Sequence, residues 1–175
     1  MRHFISTTIT SIVFPVSLTS LCISPGGSGG SQYALPVSQC TTLAAASLVF
    51  AGVPERFPRI KWALCHLGGA IPYLAERLDR GFHAFRDCRA HIDRPPSAFL
   101  REFYFDTVNF DVRALELACA FAGADHVLAG SDYPHQIGSI PSMLDAIHKL
   151  PIAESDRAAI LGLNAAKLLA VEVKR

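Results

Sequence analysis

Residues 60–69 read IKWALCHLGG, and this stretch decides the fold. It begins as a short apolar run that ends in His66, and Gly68 and Gly69 follow at once. A short apolar run bounded by glycine is typical of a buried strand that leads into a sharp turn. The stretch therefore predicts a strand over 60–66 with a histidine at its C-terminal end.

The sequence on either side alternates between helical and strand patterns. Upstream, apolar residues at helical spacing predict a helix over 41–52, which Thr41 or Thr42 is suited to cap. Short β-prone segments predict two further strands over 103–107 and 126–131. The same helical spacing predicts helices over 72–90, 97–102, 111–122, 139–149 and 155–170.

This alternation of helices and strands predicts an α/β fold. Strands separated by helices form a parallel sheet with right-handed crossovers. A complete eight-stranded α/β barrel takes about 250 residues, whereas this chain has 175. Any barrel within this sequence is therefore expected to be partial, with about three parallel strands and flanking helices.

The composition narrows the class of protein. Half of the residues are apolar, 18% are charged and the net charge is +1, so we expect no nucleic-acid partner. The five cysteines are odd in number and include no CxxC pair. This usage favours reduced thiols and a cytoplasmic location over a disulfide framework or a cysteine zinc site. No apolar run reaches the roughly 18 residues of a membrane span, so we expect no membrane partner.

Residues 1–35 differ in amino-acid composition from the rest of the chain. They are rich in Ser, Thr, Ile and Val, and they include the linker-like segment PGGSGGS at 25–31. A weak signal peptide and one or two strands both remain open for this region. We expect an atypical, poorly ordered leader over 1–35, followed by the folded domain over 36–175.

Two ionisable residues follow separate predicted strands. His66 ends the first strand and Asp132 directly follows the third. Functional groups of parallel α/β proteins collect at the C-terminal edge of the sheet, so we expect these two side chains to lie close together. Position alone leaves open that His66 is a core histidine and that Asp132 caps a turn. His135 lies on the same loop as Asp132 and is a candidate for the pocket wall.

Four motifs occur in a fixed order along the chain. They are CHLGGAIPYLAERLD at 65–79, FYFDTVNFD at 103–111, GSDYPHQIG at 130–138 and ILGLNAAKLL at 160–169. Together they resemble the amidohydrolase-related group typified by 2-amino-3-carboxymuconate-6-semialdehyde decarboxylase and by decarboxylases of resorcylate and 6-methylsalicylate. The resemblance covers about residues 36–171.

The resemblance implies a metal-dependent (β/α)8 barrel and a role for several residues. It implies that His66 is the catalytic acid/base and that Asp132 is a catalytic metal ligand. It also implies that Arg77 reaches the substrate carboxylate in a neighbouring subunit, which would require a homodimer. The cofactor that it implies is a divalent metal, with zinc as the first expectation, and the substrate is a small carboxylic acid.

The sequence departs from the family pattern in one respect. The family's first strand carries an HxH pair that binds metal, and this chain has no HxH. We therefore expect the chain to correspond to the C-terminal half of the barrel, truncated or mispredicted at its start, with most metal ligands missing. The expected function is decarboxylation of an unsaturated or aromatic carboxylic acid. Hydrolysis of an amide, ester or lactone and an inactive barrel fragment are the alternatives.

Overall fold

A computed structural model describes residues 11–13 and 31–172 of the chain. Within this part the strands form one sheet, in which each strand pairs in parallel with the next along the chain. The strands are β1 (Ser11–Val13), β2 (Lys61–Leu64), β3 (Tyr104–Asp106) and β4 (Val127–Leu128). The three strands expected from the sequence are confirmed as β2, β3 and β4, and β1 extends the sheet beyond β2.

Helices connect the strands and cover the sheet. They are α1 (Ser31–Phe50), α2 (Val53–Arg56), α3 (Ile71–Ala84), α4 (Pro96–Leu100), α5 (Val112–Ala122), α6 (Ile140–Lys149), α7 (Glu154–Ala158) and α8 (Asn164–Leu169). A parallel sheet in chain order with helical crossovers is the arrangement of a partial α/β barrel, as the sequence predicts. None of the helices in the described ranges is both long and apolar enough to cross a membrane.

The core lies between the sheet and these helices. Phe105 of β3 and Val127 of β4 are fully buried and are paired across the sheet. The segment before β3 adds Phe99 and Phe103, each 1% exposed. This packing fixes the C-terminal ends of β2, β3 and β4 beside one another, and the candidate site lies at that edge.

The first helix corrects two predictions. Helix α1 begins at Ser31 rather than near residue 41, so Thr41 and Thr42 lie in its interior and do not cap it. Both hydroxyls donate instead to carbonyls four residues earlier, a bond that threonine commonly makes within a helix. The boundary expected between residues 35 and 36 therefore falls inside a helix. Residues 25–30 and any signal peptide lie outside the described residues.

Two later helices are shorter than the apolar pattern predicts. The predicted helix over 72–90 ends at Ala84, where Phe85 adopts an extended backbone. The apolar residues of the predicted helix are buried only up to Phe82, which is 7% exposed, whereas Phe85 is 64% exposed. The predicted helix over 155–170 is divided into α7 and α8 by a wider turn around Gly162.

Candidate active site

The histidine turn, His66–Gly69, follows β2 and has an unusual backbone. All four of its residues have positive φ angles, 54° at His66, 53° at Leu67, 71° at Gly68 and 61° at Gly69. Glycine adopts this left-handed conformation freely, histidine occasionally and leucine rarely. Such a run persists only where the surroundings hold it in place, and strained backbone of this kind is often found at functional sites.

Asp106, at the end of β3, binds the backbone of the histidine turn through its carboxylate. Its carboxylate accepts the backbone N–H of His66 at 3.1 Å and that of Leu67 at 2.7 Å. It also accepts the N–H of Val108 at 3.0 Å, which ties it to its own strand end. Burial raises the pKa of Asp106, while these three donors act in the opposite direction by stabilising the carboxylate. The carboxylate therefore fixes the backbone from which the His66 ring projects.

The two glycines of the histidine turn allow close packing. A Cβ at Gly68 would lie 2.5 Å from the ring of Phe105. A Cβ at Gly69 would lie 2.3 Å from the carbonyl oxygen of Ser38 in α1. Any side chain at either position would push the turn away from β3 or from α1, so the GG pair is required by sterics as well as by φ.

The His66 ring lies among groups that change its acidity. A hydrogen bond with the side chain of Cys65 raises the pKa of His66, burial opposes this, and the charges of Asp106 and Asp132 raise it further. For Cys65, burial of the thiol acts to raise the pKa, but hydrogen bonds with His66 and Thr41 together with the charge of His66 lower it overall. The imidazole is thus biased toward its charged form, as suits a proton donor near neutral pH.

The aspartate loop, residues 131–138, follows β4 at the same edge of the sheet. Asp132 is half-buried, has a φ of 56°, and accepts the backbone N–H of His135 at 2.9 Å through its carbonyl. Ser139 N–H closes the loop on the Ser131 carbonyl at 2.8 Å. The loop places Asp132 near enough to raise the pKa of His66. His135 shares the loop, but its side chain is exposed.

Thr107 lies between these two segments and is a structural residue. It is fully buried, and its hydroxyl donates to the Gly130 carbonyl and accepts the Gly130 N–H, both at 3.0 Å. These reciprocal bonds join the ends of β3 and β4. They use the hydroxyl proton and one of its two lone pairs, so Thr107 has no proton left to donate toward the site.

The structure places Arg77 away from this edge. It is exposed on α3, six residues after the helix begins at Ile71. At 1.5 Å rise per residue, this is about 9 Å along the helix axis. The structure therefore brings His66 and Asp132 to one edge of the sheet and leaves Arg77 on the outer surface of a helix.

An apolar cavity of about 290 Å³ lies between α1 and β2, next to this edge. Small side chains such as Ala44, Ala45 and Ala51 line it, and Thr41 and Cys65 lie at its border. None of the described lining residues is a lysine, arginine or histidine, so this lining offers no cationic partner for the carboxylate of a substrate.

The described residues do not complete a metal site. No group of three or more His, Cys, Asp and Glu side chains within 37–172 is arranged to hold a metal ion. Catalytic zinc takes three protein ligands, and of the expected ligands only Asp132 lies in this part of the chain.

Sequence reasoning missed Asp106, Cys65 and Thr41, whose Oγ1 lies 3.2 Å from Nδ1 of His66. Asp106 offered a usable indication, because a carboxylate that ends a buried strand must find donors or a ligand. Thr41 offered none, since its interior place in α1 depends on a helix start ten residues earlier. The roles expected for His66, Asp132, Arg77 and His135 remain predictions.

Comparison with a family model and with known proteins agrees with this fold. A family model described as amidohydrolase matches residues 14–171. The chain is 29% identical over 141 residues to 2-amino-3-carboxymuconate-6-semialdehyde decarboxylase of Dictyostelium discoideum, covering 79% of this chain and 38% of that protein. It is 28% identical to gamma-resorcylate decarboxylase of a Rhizobium species, covering 77% of this chain and 42% of the enzyme.

A solved structure supports the same assignment. The chain superposes on dihydroxybenzoic acid decarboxylase of a Polaromonas species, which was solved with manganese and the inhibitor 2-nitroresorcinol. The TM-score is 0.68 and the sequence identity is 29%, over 76% of this chain and 40% of that one. This chain therefore spans about two fifths of the length of each of these three relatives.

Proposed function

The chain belongs to the amidohydrolase family, and on that basis we propose that it forms part of a metal-dependent decarboxylase. The substrate class is a small unsaturated or aromatic carboxylic acid, in keeping with the decarboxylases that the chain resembles. The observation that carries the proposal is the His66 ring, which projects from a strained, tightly held turn beside Asp132 with its pKa raised.

His66 is the proton donor in this proposal. Protonated His66 gives its proton to the substrate carbon that bears the carboxylate, which breaks the conjugation of the ring or chain. The bond from that carbon to the carboxylate then breaks, its electron pair restores the conjugation, and carbon dioxide leaves. The neutral imidazole recovers a proton from solvent. The raised pKa favours this role, because the ring is charged over more of the neutral range.

Asp132 contributes to the binding of a divalent metal in this proposal. It supplies one ligand, and the remaining ligands come from outside the described residues. The Polaromonas enzyme was solved with manganese, whereas zinc is the expectation from the sequence, so the metal is to be determined by elemental analysis. We further propose that Arg77 meets a substrate carboxylate across a homodimer interface, which agrees with its exposed place on α3, and that His135 lines the pocket.

The test is a chimera that supplies the rest of the barrel. Residues 31–175 are joined to the N-terminal part of the Rhizobium gamma-resorcylate decarboxylase, and the soluble protein is assayed for carbon dioxide release and metal content. We expect turnover with about one metal per chain. His66→Ala should abolish turnover and keep the metal, whereas Asp132→Ala should lose both.

The controls separate the competing chemistries. The N-terminal part of the Rhizobium enzyme alone measures any background, and a panel of esters, lactones and amides tests for hydrolysis. Hydrolysis of that panel without carbon dioxide release would replace the decarboxylase proposal with the hydrolase alternative. Equal loss of metal from His66→Ala and Asp132→Ala would make His66 a ligand rather than the proton donor.

A further inference from the structure

The hydroxyl of Thr41 faces the ring of His66 from a separate element of the fold. Thr41 lies inside α1, 3% exposed, and its Oγ1 is 3.2 Å from Nδ1 of His66. Twenty-five residues separate the two along the chain, so the contact is a product of tertiary packing. Nothing in the proposed reaction so far uses this hydroxyl.

The other neighbours of the hydroxyl indicate which atom carries the proton in this contact. Thr41 Oγ1 donates to the Val37 carbonyl at 3.3 Å and lies 3.6 Å from Cys65 Sγ. A hydroxyl has one proton and two lone pairs, and the Val37 carbonyl can only accept. With the hydroxyl proton directed to Val37, the oxygen presents a lone pair to His66, so Nδ1 is the donor in this contact.

We infer that Thr41 is a positioning residue that keeps a proton on Nδ1 of His66, so that Nε2 is the nitrogen that gains and loses the catalytic proton. The contact suits both charge states, because Nδ1–H donates to the hydroxyl whether the ring is neutral or charged. The inference rests on the proposed function for the identity of the reaction, but the tautomer itself is a property of this chain.

Two further contacts hold α1 in the register that this role requires. Thr42 Oγ1 donates to the Ser38 carbonyl and accepts the backbone N–H of Ala70, both at 2.8 Å. Gly69 lies directly against the Ser38 carbonyl, where a Cβ would be only 2.3 Å away. The two neighbouring threonines therefore have different contacts. Thr42 binds the backbone directly after the histidine turn, and Thr41 contacts the ring of His66.

Cys65 is the competitor for this role. Its side chain is also hydrogen-bonded to His66, so the thiol or thiolate could set the tautomer in place of the hydroxyl. The remaining charged groups that act on the ring are Asp106 and Asp132. Asp106 is bonded to backbone N–H groups, so it anchors the turn rather than the ring nitrogen.

Nitrogen NMR of the 175-residue chain with ¹⁵N-labelled histidine tests the inference directly. The two tautomers of a neutral imidazole give different ¹⁵N shifts and coupling patterns, and the His66→Gln variant identifies the signals of His66. We expect neutral His66 to carry its proton on Nδ1. Thr41→Val, which is nearly isosteric, should lose this single tautomer, and Thr41→Ser, which keeps a hydroxyl, should retain it.

Thr42→Val is the matched control, since it removes a neighbouring hydroxyl of the same helix that does not touch the ring. It should lower stability yet leave the Nδ1–H tautomer in place. The inference is overturned if wild-type His66 carries its neutral proton on Nε2, or if Thr41→Val leaves the tautomer unchanged. A change in tautomer with Cys65→Ala but not with Thr41→Val would assign the role to Cys65 and likewise overturn it.

Kinetics of the chimera provide a second readout. Thr41→Val should lower kcat by about 10- to 100-fold, by analogy with the loss on removing the outer hydrogen-bond partner of a metal-bound histidine. KM should stay near its original value, and Thr41→Ser should restore most of kcat. Because the NMR needs neither substrate nor metal, a chimera without turnover would count against the proposed function and leave the tautomer result standing.

Discussion

The histidine turn and the aspartate loop lie at the same edge of the sheet, but they are held in different ways. The histidine turn is fixed from outside itself. Asp106 binds its backbone from β3, Thr41 meets its ring from α1, and Gly69 is pressed against α1. Each of these contacts comes from a residue more than 20 positions away along the chain.

The aspartate loop is held mostly by hydrogen bonds between its own residues and their near neighbours in the chain. Its hydrogen bonds join residues within eight positions of one another, such as His135 N–H to the Asp132 carbonyl and Ser139 N–H to the Ser131 carbonyl. Its large side chains point outward, with Tyr133 75% exposed and Ile137 69% exposed. The contrast shows that contacts within the described chain hold the proposed proton donor in place, whereas the proposed metal ligand lies on a loop whose hydrogen bonds are mostly local.

The largest effect is expected from removing the anchor of the histidine turn. Asp106→Ala leaves three backbone N–H groups without their acceptor, in a turn whose residues all have positive φ. Since each unsatisfied buried donor costs about 1–3 kcal/mol, we expect the free energy of unfolding to fall by about 3 kcal/mol or more. Urea unfolding followed by circular dichroism measures this loss.

The matched change on the aspartate loop is Asp132→Asn. Asparagine tolerates positive φ nearly as well as aspartate, and the loop's own hydrogen bonds use the carbonyl of Asp132 rather than its side chain. The free energy of unfolding should change by less than about 0.5 kcal/mol. Equal losses from Asp106→Ala and Asp132→Asn would show that the two segments are equally dependent on their carboxylates.

A second comparison uses two glycines with similar crowding. An added Cβ would lie 2.3 Å from a backbone oxygen at both Gly69 and Gly138. Gly69→Ala should destabilise the chain by about 2 kcal/mol, because α1 and the histidine turn are both packed against the core. Gly138→Ala should cost less, because its exposed loop can shift to make room.

Gly81→Ala provides the baseline for these measurements. Gly81 lies within α3 with nothing within 4 Å of its Cβ position, so alanine should stabilise the chain by about 0.5–1 kcal/mol. If Gly138→Ala lowers the free energy of unfolding as much as Gly69→Ala does, the aspartate loop is as rigid as the histidine turn.

These two segments also show what the sequence could predict. The apolar runs that end at His66 and before Asp132 gave the positions of two strand ends, and parallel strands then place both residues at one edge. This reasoning needs only local pattern and topology. The presence of β2, β3 and β4 follows from the same information, whereas the family was indicated by the resemblance of four motifs and is shown by the family model.

The contacts that hold the site could not be predicted in this way, although Asp106, as a carboxylate that ends a buried strand, offered an indication that it must find donors or a ligand. Threonine favours helix starts, so Thr41 was expected to be a cap, but its position in space depends on how α1 packs against the histidine turn. Asp106 acts on backbone groups some 40 residues earlier. Such contacts depend on three-dimensional packing that no local pattern encodes, whereas strand ends are local features.

A smaller effect concerns the dependence of stability on pH. The pKa of His66 is raised in the folded chain, so folding favours the protonated ring. The resulting stabilisation is present in full below the unfolded pKa of about 6.5 and is lost as the pH rises through the folded pKa. We expect the free energy of unfolding to fall over this window in wild type and to fall less in His66→Gln.

The same shift links the two segments and can be measured at His66 directly. An NMR titration should give a His66 pKa above the ordinary value, and Cys65→Ala should lower it because the hydrogen bond with Cys65 is its largest cause. Asp132→Asn should lower it by a smaller amount. No change with Asp132→Asn would mean that the aspartate loop lies too far from the ring to act on it.

The smallest effect on stability is expected from Arg77→Ala. Arg77 is exposed on α3, outside both segments, and changes at such positions stay within about 0.5 kcal/mol. Arg80 on the same helix is a matched control, since it is also exposed and forms a surface ion pair with Glu76 at 3.0 Å. Both alanine variants of the 175-residue chain should unfold at nearly the wild-type urea concentration.

The chimera should distinguish the two variants, because only Arg77 is proposed to meet a substrate carboxylate in a second subunit. Arg77→Ala should therefore raise KM while Arg80→Ala leaves it unchanged, and verified heterodimers of Arg77→Ala with His66→Ala subunits should regain part of the turnover. Heterodimers that stay inactive while each partner folds would show that Arg77 does not act across the interface, and the site would then depend on the histidine turn and the aspartate loop of one subunit.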